Sequence, residues 1–186
     1  MKHYPPEQFT QGVRVLMLID RGVQNNNKGS KRWINKIITT NVEEFHAAAE
    51  KLIELQNHLA NPDVRLYSAI NPRKMKKAIQ EFKHKQLDLN DDNEMNFYRR
   101  INDSFCSCLM QPDCRDGSLF LLDCDSKDAS EVNSFLITNF GIQMHYQYPT
   151  PNGWHFIVEP FNPAMCADMK TFEVKKDALM LLNWIK

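Results

Sequence analysis

The sequence predicts an α/β protein of the α+β kind, folded as one unit over residues 1–186 with two lobes. Three observations carry this. Apolar runs of strand length recur at 12–19, 33–39, 64–70 and 118–124, and between them lie longer stretches with apolar residues at helical spacing. The two kinds alternate in the first half, whereas from 142 onward strand-like runs follow one another through short turns, which is the pattern of an antiparallel sheet. No Ser/Gly-rich linker divides the chain. The organisation is therefore an N-terminal αβ lobe (1–90), a connecting helix and loop (91–116) and a sheet-based second lobe (117–186).

Gly12 to Ile19 is β-branched and apolar, and ends at Asp20. Residues 21–32 form a polar loop with three Asn and four basic residues, either a plain hairpin loop or one that touches phosphates. Trp33 to Thr39 is the returning strand. Thr40 or Asn41 is a good helix N-cap, and Glu43 and Glu44 suit the first turn. The helix spans 42–59, with Phe45, Ala48, Ala49, Leu52, Ile53, Leu55, Gln56 and Leu59 on one face. Asn61-Pro62-Asp63 ends it, and Val64 to Ile70 is a strand. Asn71 as N-cap with Pro72 at the first position predicts a helix over 72–85. Its stripe is Met75, Ile79 and Phe82, and its other face is rich in lysine: a solvated face or a track for a nucleic-acid backbone.

A third helix is expected over 94–110, turning Met95, Tyr98, Ile101, Phe105, Cys108 and Leu109 inward. A strand through 118–124 follows, then a helix over 127–140 closed by Gly141. Ile142 to Tyr148 alternates as a strand. Thr150-Pro151-Asn152-Gly153 is a turn, and Trp154 to Glu159 is the strand hairpinned to it. A loop over 160–169 precedes strands at 171–174 and 178–184, separated by a turn at 175–177.

Composition sets bounds. Net charge is zero, so no overall basicity argues for a nucleic-acid partner, although a local basic surface remains open. The N-terminus lacks the apolar core of a signal peptide and no run reaches membrane-span length, so a cytoplasmic protein without a membrane partner is expected. The five cysteines, an odd number, read as reduced thiols. Cys106, Cys108 and Cys114 lack the paired spacing of a zinc site.

The chemistry centres on Ser118 to Asp128. Four apolar residues, Leu119 to Leu122, lead into Asp123-Cys124-Asp125. On a strand the two Asp side chains point the same way. Adjacent carboxylates resist joint ionisation unless a cation lies between them. Hard divalent ions with oxygen ligands meet that need, and two solvated carboxylates at a strand end are the alternative. Downstream, the turn at 150–153 delivers His155 early in a strand. Taken alone, His155 would be a structural histidine.

The order of these features resembles the archaeo-eukaryotic primase superfamily, the primase-polymerases. Leu121-Leu122-Asp123-Cys124-Asp125 looks like its first motif, a hydrophobic strand ending in two acidic residues. Thr150 to His155 looks like the second, a small-residue turn ending in His. The resemblance covers 117–184 by motif and the first lobe by its αβ character. It implies an RRM-like antiparallel sheet with helices on one face. It implies template-dependent nucleotidyl transfer, with primers made from NTPs or dNTPs on single-stranded DNA. It implies Mg²⁺ or Mn²⁺ held by Asp123 and Asp125, in a reaction where two ions about 3.5–4 Å apart flank the attacking and leaving oxygens. A third acidic residue is either Glu173 or Asp177. Glu173 is preferred because it lies within a strand, although aspartate is more usual there. His155, Thr150, Asn152 and Gly153 would surround the nucleotide, and Arg65 and Arg73 would bind phosphates. Larger members carry zinc and helical modules, so a minimal domain working with a helicase or accessory subunit is expected. The alternatives are a non-catalytic nucleic-acid-binding module presenting Tyr146, Tyr148, Trp154 and Phe156, or a metal-dependent nuclease.

Overall fold

The computed structural model describes residues 4–22, 32–89, 91–125, 141–166 and 172–185, with 132, 134, 137 and 138. Strand β1 (Arg14–Asp20) pairs antiparallel with β2 (Arg32–Thr39), Arg14 opposite Thr39 and Asp20 opposite Arg32. The tip of this hairpin, 23–31, lies outside the described residues, and with it most of the basic loop. β1 is apolar on both faces and is correspondingly buried on both, as a central strand must be. Helix α1 (Val42–Leu59) starts at Asn41, whose Oδ1 accepts the Glu44 N–H at 2.8 Å. The Glu44 carboxylate reaches back to the Thr40 N–H at 2.7 Å, so two otherwise orphaned donors are satisfied. Phe45, Ala48, Ala49, Leu52 and Gln56 are its buried face. The chain leaves α1 through Ala60 in the left-handed region, φ 48°.

Strand β3 (Val64–Ala69) pairs with β1, Leu16 opposite Ser68. The helix expected from Pro72 begins later, as α2 (Met75–Leu87). Asn71 does not cap it. Its side chain is fully buried and clamps the backbone of Leu119, accepting from the N–H at 2.9 Å and donating to the carbonyl at 3.0 Å. The Arg73 N–H goes to the Val13 carbonyl and the Lys74 N–H to that of Cys114, so the chain stays extended across 71–74. The single helix expected over 94–110 is two, α3 (Asp91–Arg99) and α4 (Ile101–Leu109), broken at Arg100. The break changes which residues point inward. Phe97 and Phe105 both meet Phe82, and Cys106, Cys108 and Leu109 are buried. Met95 and Tyr98 on α3 and Ile101 at the start of α4, expected inside, stay exposed on either side of the break.

The second sheet holds β4 (Phe120–Cys124), β5 (Met144–Pro149), β6 (Trp154–Val158) and β7 (Glu173–Lys176), all antiparallel. The last strand, β8 (Leu179–Trp184), leaves this lobe and pairs with β3, Ala69 opposite Leu179. The sheets are thus ordered β2-β1-β3-β8 and β5-β6-β4-β7. The sequence reading assigned 178–184 to the second lobe, and the structure gives it to the first sheet. Its place is secured by buried polar contacts: Asn183 donates to the Gln56 side chain at 2.6 Å, and Gln56 donates to the Val64 carbonyl at 2.6 Å. This accounts for a glutamine on the apolar face of α1.

One core runs from α1 through the first sheet to Leu121, Tyr148 and Ile157 of the second. A smaller core lies behind the second sheet around Phe120, Leu122, Cys124, Phe156 and Val158. Val132, within the helix expected over 127–140, belongs to this core. That expected helix lies largely outside the described residues, with positions 132, 134, 137 and 138 helical. Among the described cysteines, Cys106, Cys108, Cys114 and Cys124 are buried free thiols. No described helix is long and apolar enough to cross a membrane.

Candidate active site

The two sheets leave a cleft of about 520 Å³ between them. Strand alternation fills it from both sides. Leu121 and Asp123 face the cleft, while Phe120, Leu122 and Cys124 face the rear core. Asp125, just past the strand end, lines the same cleft and is exposed. The opposite wall comes from the first sheet: Ile19, Arg21, Arg65 and Tyr67, with Leu179 and Leu181 of β8.

Cross-strand register sets the chemical residues in one row. Tyr148 on β5 lies opposite His155 on β6, His155 opposite Asp123 on β4, and Asp123 opposite Glu173 on β7. Directly opposed residues share a face, so the row crosses the whole sheet. The His155 ring is nearly buried, with Nδ1 2.7 Å from the Tyr148 hydroxyl and Nε2 3.1 Å from Asp123 Oδ1. The Tyr148 oxygen also accepts the Leu181 N–H from the other sheet at 3.2 Å. The ionised Asp123 can only accept, so Nε2 carries the proton given to it, and in the neutral ring Nδ1 then accepts from the Tyr148 hydroxyl. Both ring nitrogens are therefore engaged, and His155 acts on Asp123 rather than offering a free nitrogen to the cleft.

Lys175, two residues beyond Glu173 and so on the same face, closes the other side of the carboxylate. Its ammonium binds Asp123 Oδ2 and lies 3.1 Å from Glu173 Oε2. The His155 hydrogen bond holds the Asp123 carboxyl well below the usual carboxylate range, against burial and with help from Lys175. Burial disfavours the Lys175 charge, but hydrogen bonds to Asp123 and Glu173 outweigh it and raise the Lys175 pKa. Burial drives the Tyr148 hydroxyl well above its ordinary range, so it stays a neutral donor.

The hairpin that presents His155 is tied by Thr150, whose N–H donates to the Gly153 carbonyl at 2.8 Å and whose hydroxyl accepts the Gly153 N–H at 3.1 Å. Thr150, Pro151 and Asn152 form one end of the cleft. Gly153 is required by close approach: a Cβ there would stand 2.0 Å from the Cys124 carbonyl oxygen. Gly153→Ala is expected to open the β4–β6 ladder where Asp123 meets His155. The cost should be about 1–3 kcal/mol, as for overpacking elsewhere, read as a lower urea midpoint.

The remaining expected residues are separated from this row. Asp177 lies in the turn between β7 and β8 at φ 52° and borders the cleft, but its carboxylate is taken by Arg73. The pair makes two contacts, Nη1 to Oδ2 at 2.9 Å and Nη2 to Oδ1 at 2.7 Å, with the Arg73 side chain fully buried. Arg73 is therefore a structural cation rather than one open to the cleft. Arg65 does line the cleft, half-buried, and its Nε is buried without a hydrogen-bond partner among the described residues. Arg21, not singled out from sequence, joins it and donates to the Tyr67 hydroxyl at 3.2 Å. Lys175 was missed as well, though period-2 counting from Glu173 would have found it. Tyr148 was read only as a stacking ring, and counting outward from the turn pairs it with His155. Of the rings offered for base stacking, Tyr148 and Phe156 are buried, and Tyr146 and Trp154 are half-buried.

Tyr148→Phe leaves His155 Nδ1 and the Leu181 N–H without the hydroxyl. The expected loss is about 1–3 kcal/mol of stability, seen as a lower melting temperature with the fold retained.

No protein-family model matches the chain, and no curated protein or solved structure matches it significantly.

Proposed function

We propose that the chain is a template-dependent nucleotidyltransferase of the primase-polymerase kind, building primers from NTPs or dNTPs on single-stranded DNA. The observation that carries the reading is the Asp123 row. A carboxylate held ionised by His155, flanked by Glu173 and Asp125, faces a wall bearing Arg21 and Arg65 across one cleft. A nucleoside triphosphate has the matching character, since its phosphates need cations on one side and a carboxylate-bound cation on the other.

In kind, the carboxylate oxygens of Asp123, Asp125 and Glu173 suit a hard divalent ion. Among the described residues no three acidic, His or Cys side chains are already converged on one point. Instead the Lys175 ammonium sits between Asp123 and Glu173, so these oxygens already hold a positive charge. Asp123, with Asp125 and Glu173, would hold Mg²⁺ or Mn²⁺, which supplies charge neutralisation at the phosphates and activation of the attacking hydroxyl. His155 fixes the orientation of Asp123 and keeps it charged. Arg21 and Arg65 would orient phosphates, and the Thr150–Gly153 hairpin closes one end of the cleft. Leu121, Ile19 and Leu181 exclude water from its base.

The test is synthesis on an unprimed single-stranded template with labelled nucleotides and Mn²⁺, comparing the native chain with Asp123→Ala/Asp125→Ala. Labelled products complementary to the template, lost in the variant, are expected. Template binding without synthesis by the native chain would leave a binding module, and shortened template would make it a nuclease.

A further inference from the structure

Among the described residues, Lys175 is the more exposed of the two side chains that bind the Asp123 carboxylate. The other partner, His155, is nearly buried and braced by Tyr148. Lys175 is over a third exposed, on a flexible four-carbon stem, and stands on a strand at the mouth of the cleft. It holds Asp123 and Glu173 together, the oxygens a divalent ion would need.

We propose that Lys175 is an internal counter-ion that occupies the cation seat in the free protein and moves to the triphosphate when the nucleotide arrives. The proposal rests on the reading of the cleft as a nucleotide site and adds a coupling to it. An ammonium on the carboxylates competes directly with an incoming metal ion. A triphosphate entering the cleft offers the same ammonium a more highly charged partner. Removing Lys175 from Asp123 then frees the oxygens for the metal, so nucleotide and metal favour each other's binding. By linkage this coupling is reciprocal, and couplings of this kind are commonly on the order of tenfold. Lys175 would thus be a positioning residue that keeps the carboxylates from being loaded with metal before substrate is present.

The test uses two equilibrium measurements on the full chain, neither of them activity. Mn²⁺ binding without nucleotide is followed by loss of the free-ion electron paramagnetic resonance signal. Binding of a fluorescent dNTP is followed by anisotropy in EDTA. Lys175→Met keeps the apolar stem and removes the charge. It is expected to bind Mn²⁺ about tenfold more tightly and the metal-free nucleotide about tenfold more weakly. Lys175→Arg keeps the charge and is expected to stay near the native values in both. Unchanged or weaker Mn²⁺ binding by Lys175→Met would overturn the proposal, because a merely structural lysine moves both affinities down or neither. Asp123→Asn serves as the separate control. If Mn²⁺ binding survives it undiminished, the metal reading of Asp123 fails, and the coupling with it. If Asp123→Asn abolishes Mn²⁺ binding while Lys175→Met leaves it at the native value, only the coupling fails.

Discussion

Asp123→Asn is expected to lower template-dependent incorporation on the order of 10²–10³-fold, the scale seen when one preorganised electrostatic element of a site is removed. The amide keeps the shape and still accepts the His155 proton, so the row of side chains persists while the charge is lost. Lys175 would then rest on Glu173 alone. The stability effect has a definite pH dependence. The Asp123 carboxyl titrates below its ordinary value of ~3.9, so the native state favours its ionised form. That contribution is fully present above the ordinary value and disappears as pH falls through the depressed one. The difference in unfolding free energy between native chain and Asp123→Asn should therefore be constant near neutrality and narrow in strong acid. Urea titrations at a series of pH values, with single-turnover incorporation at neutral pH, check both parts.

Asp177→Asn is expected to be the most destabilising single change in the β7–β8 turn, by about 3–5 kcal/mol, the cost of breaking a buried ion pair from one side. Asparagine tolerates the positive φ of this position as aspartate does, so the turn itself is not strained. What is lost is the negative charge paired with Arg73. Arg14 lies close by and is also buried, its guanidinium spread over the carbonyls of Gln8, Gln11, Ala69 and Ile70. Burial, and then the neighbouring Arg73 charge, push its pKa down to about 10. Without Asp177, the buried Arg73 charge loses its carboxylate partner and still repels the neighbouring Arg14 charge. Chemical denaturation of Asp177→Asn and of the Arg73→Met/Asp177→Leu pair separates the charge from the packing. The double variant should recover much of the loss, because an apolar pair leaves neither charge stranded.

How much of this was readable from the chain depended on the range of the interactions involved. The hairpin of β1 and β2, the cap at Asn41 and the face of α1 from Phe45 to Gln56 follow from neighbours within a few residues, and the structure has them where the pattern puts them, while Leu59 at the helix end is exposed. The pairing of β8 with β3 spans more than a hundred residues and leaves no local mark. Asn183 and Gln56 encode it, but neither is conspicuous until the two are side by side. Asn71-Pro72 carries a strong local capping signal, and a long-range clamp on Leu119 overrides it. The same division runs through the site. Asp123, Asp125 and His155 were visible as short motifs, and alternation put both Asp side chains on one face. The occupation of Arg73 by Asp177 was not visible, since it depends on where the β7–β8 turn meets the start of α2. Nor were Tyr148, Lys175 and Arg21, whose roles come from cross-strand register and from the facing sheet.

The most direct measurement is diffraction from crystals grown with Mn²⁺ and a dNTP analogue that cannot be cleaved, recorded at the manganese absorption edge. The expected result is an anomalous peak bonded to Asp123, with the triphosphate between the two sheets and in contact with Arg21 or Arg65, and Lys175 moved off Asp123. A peak and a nucleotide bound elsewhere, with Lys175 still on Asp123, would contradict a nucleotidyl-transfer centre in this cleft.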